Sequence, residues 1–518
     1  MLNCQMIAVP LERNQAFARA FEWGRIFCTI AFCTLLNITG ASAADWKFSI
    51  RLAPAVRQTP FTGRVYLFFN GANNEEPREG PDWFHPEPFV ALDVENWIPA
   101  EPLNISPATA RLLSFPHPLA DLDLKTSRVQ AVVRLNPHER NVGTGPGNGF
   151  SAQTAAAPAA NSPGIELLVE QVVPETTFQN SDRCRELVVR SALLSRFHGR
   201  EVFMKGAVQF PASYSTAPDR RYPVIIIVPG FGGTHYDVAS APPVQEQNER
   251  GVEFIRVTLN PSCARGHHVF ADSANNGPVG SSLVAEFLSQ LDQDFRTVAV
   301  PSARFLTGHS SGGWSTLWLQ TTYPEAFGGT WSTAPDSVDF QDFQRVNIYQ
   351  PNANLFRDEA GNRRPLGRAG ETILLWSDRF CDMEQVLGYG GQMQSFEAVF
   401  SPRGEAGTPL QIWDRRTGAI NQAVAETWKR YDIRLRLLLN WPHIAPHLAG
   451  KLHVFMGAED TFYLDGATRR LKSTLAELGS DAVVEILPGK NHFNLFADGL
   501  AARIRKEMVA AFLKHHQP

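Results

Sequence analysis

The chain has 518 residues, with 48 Lys and Arg against 52 Asp and Glu and a net charge of −4. That length exceeds one catalytic core and predicts two domains. Balanced charge without a lysine or arginine run leaves no electrostatic footprint for nucleic acid, which is excluded as a partner.

At the start, Arg13, Arg19 and Arg25 precede an apolar run at 26–36, and Ala41-Ser42-Ala43 follows as a small-residue cleavage site. This predicts a signal peptide over 1–43, with Met6 as an alternative start, and a periplasmic or secreted protein. The run is too short to span a bilayer comfortably, so no stable membrane insertion is expected after leader removal. Cys4, Cys28 and Cys33 would leave with the leader. Cys184, Cys263 and Cys381 remain, a set that allows one disulfide but reads better as buried structural thiols.

Alternating segments at 46–52, 63–69 and 129–135, separated by Pro- and Gly-rich turns, predict a sandwich-like all-β domain over 44–140. Residues 141–164, rich in Gly, Ala and Pro, read as a linker to a catalytic domain over 165–518. Segments 165–173, 186–194 and 202–210 read as antiparallel strands leading into the catalytic sheet, though the first could belong to the sandwich instead.

Tyr222-Pro-Val-Ile-Ile-Ile-Val228 is a β-branched run suited to a strand buried on both faces of a parallel sheet. It ends in Pro229-Gly230-Phe231-Gly232-Gly233, a glycine-rich loop placed to offer the Phe231 N–H to an oxyanion. Val284, Phe287, Leu288 and Leu291 then mark a helix packed on the sheet.

Gly308-His309-Ser310-Ser311-Gly312 follows the apolar segment 303–307 and precedes a helical segment. G-x-S-x-G between strand and helix is a nucleophile elbow. Ser310 occupies the tight turn, small residues flank it so that strand and helix can approach, and the Ser311 N–H supplies the second oxyanion donor.

Residues 337–445 form a long insertion rich in aromatics, among them Phe380, Phe396, Phe400, Trp413 and Trp428. They could lid the elbow and line an apolar or sugar-stacking pocket, but most are expected to pack the insertion itself. Asp358 to Asn362 and Asp414 to Gly418 read as hairpin turns rather than ion loops. His443 and His447 have helical metal-ligand spacing, yet Pro442 and Pro446 are expected to break that helix, so no metal site is predicted. No nucleotide or cofactor motif is present.

The strand at 452–457 is followed by Ala458-Glu459-Asp460, and the strand at 482–487 by Pro488-Gly489-Lys490-Asn491-His492. Ser310, Asp460 and His492 thus occur in the Ser-Asp-His order, each just past a strand. Glu459 and Asp465 are close rivals for the acid. A final stripe of Leu500, Ile504, Met508 and Phe512 marks the closing helix.

PVIIIVPGFGG, LTGHSSGGW, YPEAFGGT, VFMGAEDTFY and PGKNHF together resemble the esterase D-type family. That group includes feruloyl and acetylxylan esterases, enterochelin esterases, S-formylglutathione hydrolase and mycolyltransferases. The resemblance covers about 200–518 and implies an α/β-hydrolase fold. It matches Ser310, Asp460, His492 and the Phe231/Ser311 pair to nucleophile, acid, base and oxyanion positions. The loop at 260–273 and the long insertion depart from the family pattern, so the specificity of named relatives does not carry over.

The expectation is an α/β protein with a mostly parallel sheet and flanking helices, preceded by a smaller all-β domain. It would be a secreted or periplasmic serine esterase without cofactor or metal, acting on a small-molecule or polysaccharide-linked ester. A serine peptidase or an acyltransferase on the same scaffold is the alternative, followed by a non-catalytic binding protein. Substrate identity and oligomeric state are not legible.

Overall fold

The computed structural model describes residues 46–71, 75–157, 164–238 and 250–516. The predicted leader, its cleavage site, Cys4, Cys28 and Cys33 lie outside the described residues, as do 158–163 of the expected linker.

Nine strands form the first sheet: β1 Phe48–Leu52, β2 Phe61–Asn70, β3 Phe89–Trp97, β4 Leu103–Ile105, β5 Leu113–Phe115, β6 Arg128–Val133, β7 Gly149–Ser151, β8 Thr154–Ala155 and β9 Ile165–Val172. The order is β4-β1-β9-β7-β6-β2-β3-β5, with β8 paired to β6. A flat sheet would hold β1 and β2 about 19 Å apart across the strands between them. Instead the rings of Phe48 and Phe69 lie 5.6 Å apart, so the sheet folds over its own core.

Two expected boundaries are corrected here. The described part of 141–164, residues 141–157, is not a linker, because β7 and β8 pair inside this sheet, and β9 runs parallel to β1 rather than entering the catalytic sheet. The glycines that suggested flexibility serve close approach: a Cβ on Gly143 would lie 1.7 Å from the Arg78 carbonyl oxygen, and one on Gly145 would lie 2.2 Å from that of Asn141.

The second sheet is assembled from β10 Cys184–Arg190, β11 Phe203–Gln209, β12 Val224–Val228 and β13 Ile255–Leu259. Helix α1 Ala192–His198, capped by Ser191, replaces the end of the strand expected at 186–194. A small hairpin, β14 Ser262–Cys263 and β15 Gly266–His267, precedes helices α2 Val279–Ser282 and α3 Leu288–Asp294, which are joined by one π-helical turn. Then come β16 Arg304–His309, α4 Ser311–Thr322 and β17 Gly329–Thr333.

The insertion holds hairpin β18 Pro365–Ala369 and β19 Thr372–Trp376, then α5 Ser377–Leu387, α6 Gln392–Phe400, α7 Gln422–Trp428 and α8 Ile433–Leu448. The chain closes with β20 Leu452–Gly457, α9 Asp465–Glu477, β21 Val483–Leu487 and α10 Leu500–Leu513. Helix α8 runs through Pro442 and Pro446, against expectation. The Leu438 carbonyl that Pro442 cannot serve belongs to an exposed residue, where water can serve it. His447 pairs with Glu325. Among the described residues, no group of three His, Cys, Asp or Glu could hold a metal, and no helix is long and apolar enough to cross a membrane.

The second sheet runs β10-β11-β13-β12-β16-β17-β20-β21, parallel from β13 to β21 and antiparallel at the β10–β11 edge. Alternation along β12 explains its apolar run. Val224, Ile226 and Val228 join the core under α3, whereas Ile225 and Ile227 join the core under α10.

The two sheets share a core. Along β2, Val65, Leu67 and Phe69 face inward, while Tyr66 and Phe68 pack with Phe380, Phe396 and Trp314. Tyr66 Oη also donates to the Leu387 carbonyl at 2.7 Å, and Arg64 Nη1 to those of Gln385 and Val386 at 3.0 Å. The aromatic insertion is therefore mostly a wedge between sheets. Cys184, Cys263 and Cys381 are free thiols.

Candidate active site

Register aligns the carboxyl ends of five parallel strands: Val228 pairs with Gly308, His309 with Thr333, Thr333 with Phe455, and Gly457 with Leu487. Phe231, Ser310, Asp336, Asp460 and His492 all follow these ends, the edge where open α/β sheets place ligands.

Ser310 sits at φ 58° and ψ −127°, a strained conformation held by the Ser310 N–H bond to the Thr333 carbonyl at 3.0 Å. The neighbouring glycines are required by contact. A Cβ on Gly308 would lie 2.3 Å from the Gly312 oxygen, and one on Gly312 would lie 2.0 Å from the Val228 oxygen. Ser311 opens α4. Among the described residues, neither its N–H nor that of Phe231 donates to a protein acceptor.

His492 Nδ1 and Asp460 Oδ2 are 2.8 Å apart, with both residues buried. Asp460 Oδ1 accepts from the Phe462 N–H at 2.9 Å and the Leu464 N–H at 3.4 Å, which fixes the carboxylate. The loops carrying Asp460 and His492 are tied by Glu459 N–H to the Lys490 carbonyl at 3.0 Å. Hairpin β18–β19 braces the acid loop through Arg368 Nε, 3.1 Å from the Asp460 carbonyl. The rivals point elsewhere: Glu459 is exposed, and Asp465 pairs with Arg368 and Arg469 at 3.3 Å.

His309, behind the catalytic-edge histidine, has its ring 4.6 Å from that of His492. Burial, then the neighbouring His492, pushes its pKa well below the usual range and keeps it neutral.

Ser310 Oγ does not bond His492 in this structure; it donates to Asp336 Oδ1 at 3.4 Å. Asp336 Oδ2 accepts from Ser311 Oγ at 2.6 Å, and Gln392 of α6 donates to Ser311 Oγ at 3.2 Å. Burial raises the Asp336 pKa to about 6, opposed by the serine hydroxyls and His492. Sequence reasoning missed this carboxyl, although Ser332-Thr-Ala-Pro-Asp336 carries the same signal as the acid: an Asp just past a buried strand.

Around His492 the aromatics are not those of the insertion that the sequence singled out. Phe462 meets His492 edge-on at 4.9 Å and Phe493 meets it at 5.5 Å.

A protein-family model described as "Putative esterase" matches residues 200–477, more than half of the chain. The chain belongs to this esterase family. The esterase is a carboxylic-ester hydrolase of the α/β-hydrolase fold, and the matched span includes Phe231, Ser310, Ser311 and Asp460 but stops before His492. No curated protein matches it.

Among solved structures, an S-formylglutathione hydrolase from Agrobacterium tumefaciens is similar at 15% identity and TM-score 0.41, covering 65% of this chain and 98% of that one. A ferulic acid esterase from Anaeromyces mucronatus is similar at 11% identity and TM-score 0.33, covering 63% and 92%. Porphyromonas gingivalis dipeptidyl peptidase 4 aligns at 12% identity and TM-score 0.36, covering 82% of this chain and 46% of that one. Likeness at this level says nothing of substrate here.

Proposed function

We propose that the esterase works through a Ser310–His492–Asp460 relay and an acyl-enzyme, as an exported protein of the periplasm or the cell exterior. The observation that carries this reading is the 2.8 Å bond between His492 Nδ1 and buried Asp460, at the same sheet edge as the strained Ser310 turn. Asp460 fixes the tautomer that leaves Nε2 free to accept a proton. Ser310 turns from Asp336 to His492 as substrate binds, attacks the ester carbonyl and gives its proton to Nε2. The N–H groups of Phe231 and Ser311 receive the developing oxyanion, each such donor being worth about 3 kcal/mol. His492 then protonates the leaving alcohol, and water, activated by the same imidazole, releases the acid. The leader motif at 1–43 supports export.

Rapid mixing with p-nitrophenyl acetate tests the relay. Wild-type protein should give a burst of p-nitrophenol equal to its concentration, and Ser310→Ala should lose turnover by roughly 10⁴-fold or more. Ser310→Ala that turns over at the wild-type rate contradicts the reading.

A further inference from the structure

The loop joining β2 to β3 belongs to the first sheet, yet it reaches the aromatic rings beside His492. Asp82 shapes its tip, with Oδ1 accepting from the Phe84 and His85 N–H groups, each at 2.9 Å. Glu87 accepts the Asp82 N–H at 2.9 Å. The two half-buried rings at this tip meet both halves of the site. Trp83 lies 5.6 Å from Phe231, on the loop offered as an oxyanion donor, and 6.5 Å from Phe462. Phe84 lies 6.3 Å from Phe462 and 6.2 Å from Phe493. Phe493 is 60% exposed, so its ring presents a free apolar face 5.5 Å from that of His492. The β6–β7 loop of the same sheet also meets the Phe231 ring, with the Arg140 guanidinium 4.4 Å from its centre.

We propose that Trp83 and Phe84 are specificity-determining residues of the esterase, forming with Phe462 and Phe493 a collar for an apolar, aromatic alcohol group of the ester. The inference rests on the relay described above. His492 must reach the leaving oxygen to protonate it, so the alcohol side of the ester passes the histidine rather than the acyl-serine. The rings that flank His492 are Phe462 and Phe493, and Phe84 faces both. An aryl alcohol there gains edge and face contacts with several rings, whereas a methyl alcohol gains none. The first sheet is then half of the binding site rather than an appendage.

The test compares benzyl acetate with methyl acetate, whose acyl groups are identical, on the mature wild-type protein and on Trp83→Ala, Trp83→Phe and Phe84→Ala. For benzyl acetate, kcat/KM should fall about tenfold in each alanine variant, mostly through KM, as expected for lost ring contacts. For methyl acetate it should stay within about twofold, and Trp83→Phe should restore most of the benzyl activity. Phe84, which meets Phe462 and the exposed Phe493 but not Phe231, keeps the test valid if Trp83→Ala folds poorly. Equal losses on both esters in Phe84→Ala, or no loss on benzyl acetate, overturn the collar. Wild-type hydrolysis of both esters that survives in Ser310→Ala overturns the relay instead, a separate result.

Discussion

Ser310 Oγ donates to Asp336 Oδ1 at 3.4 Å, while the other oxygen of that carboxyl takes a 2.6 Å bond from Ser311 Oγ. Burial lifts this group from 3.8 to about 6. Between those values the folded state binds more protons than the unfolded chain, so folding stability falls as pH rises and the loss persists above about 6. Two pKa units correspond to about 3 kcal/mol. Asp336→Asn keeps one of the two acceptor oxygens that face the serines and removes the titration. Urea unfolding of both proteins should show the variant gaining up to about 3 kcal/mol on wild type between pH 4 and pH 7. A difference independent of pH contradicts this account of Asp336.

Asp460→Asn should cut kcat by ~10⁴-fold with little change in KM, because the imidazole loses its fixed tautomer. Glu459→Gln should be near wild type, since that side chain is exposed. Asp465→Asn should cost less than about tenfold, because Arg368 retains its own bond to the Asp460 carbonyl. Steady-state kinetics on one ester ranks the three. A crippled Asp465→Asn beside an active Asp460→Asn would reverse the assignment of the acid.

Gly312→Ala places a methyl group 2.0 Å from the Val228 carbonyl oxygen, inside the junction of β12 and α4. Backbone on both sides leaves no flexible neighbour to yield. The substitution should destabilise the protein by about 3 kcal/mol or more and abolish activity. Thermal unfolding and ester turnover measured together check it, and a stable, active variant would show that the elbow has slack.

These residues divide by what local sequence can carry. The strained turn at Ser310 and the positions of Asp460 and His492 were legible because each follows a short pattern at a strand end, and the apolar stripes of α3 and α10 follow helical spacing. The strand β9 and the false linker were not. Whether a glycine bends a free chain or admits a neighbouring carbonyl, as Gly143 admits that of Arg78, depends on residues far away in sequence. Trp83 and Phe84 were invisible for the same reason: nothing near residue 83 announces a histidine at 492. Helix α8 was misjudged because a proline's cost depends on whether water reaches the freed carbonyl.

The predicted leader gives a separate test. Protein recovered from the native host should begin at Ala44, following the Ala41-Ser42-Ala43 site. Mass-spectrometric sequencing of the N-terminus checks this, and an intact leader on a soluble cytoplasmic protein contradicts export.

The proposed mechanism turns on Ser310 as the nucleophile, activated by His492. Treating the mature protein with a fluorophosphonate, digesting it and sequencing the modified peptide tests this most directly. One phosphonyl group is expected on Ser310, absent in Ser310→Ala and strongly slowed in His492→Ala. A label on Ser311, or labelling that persists in Ser310→Ala, would contradict it.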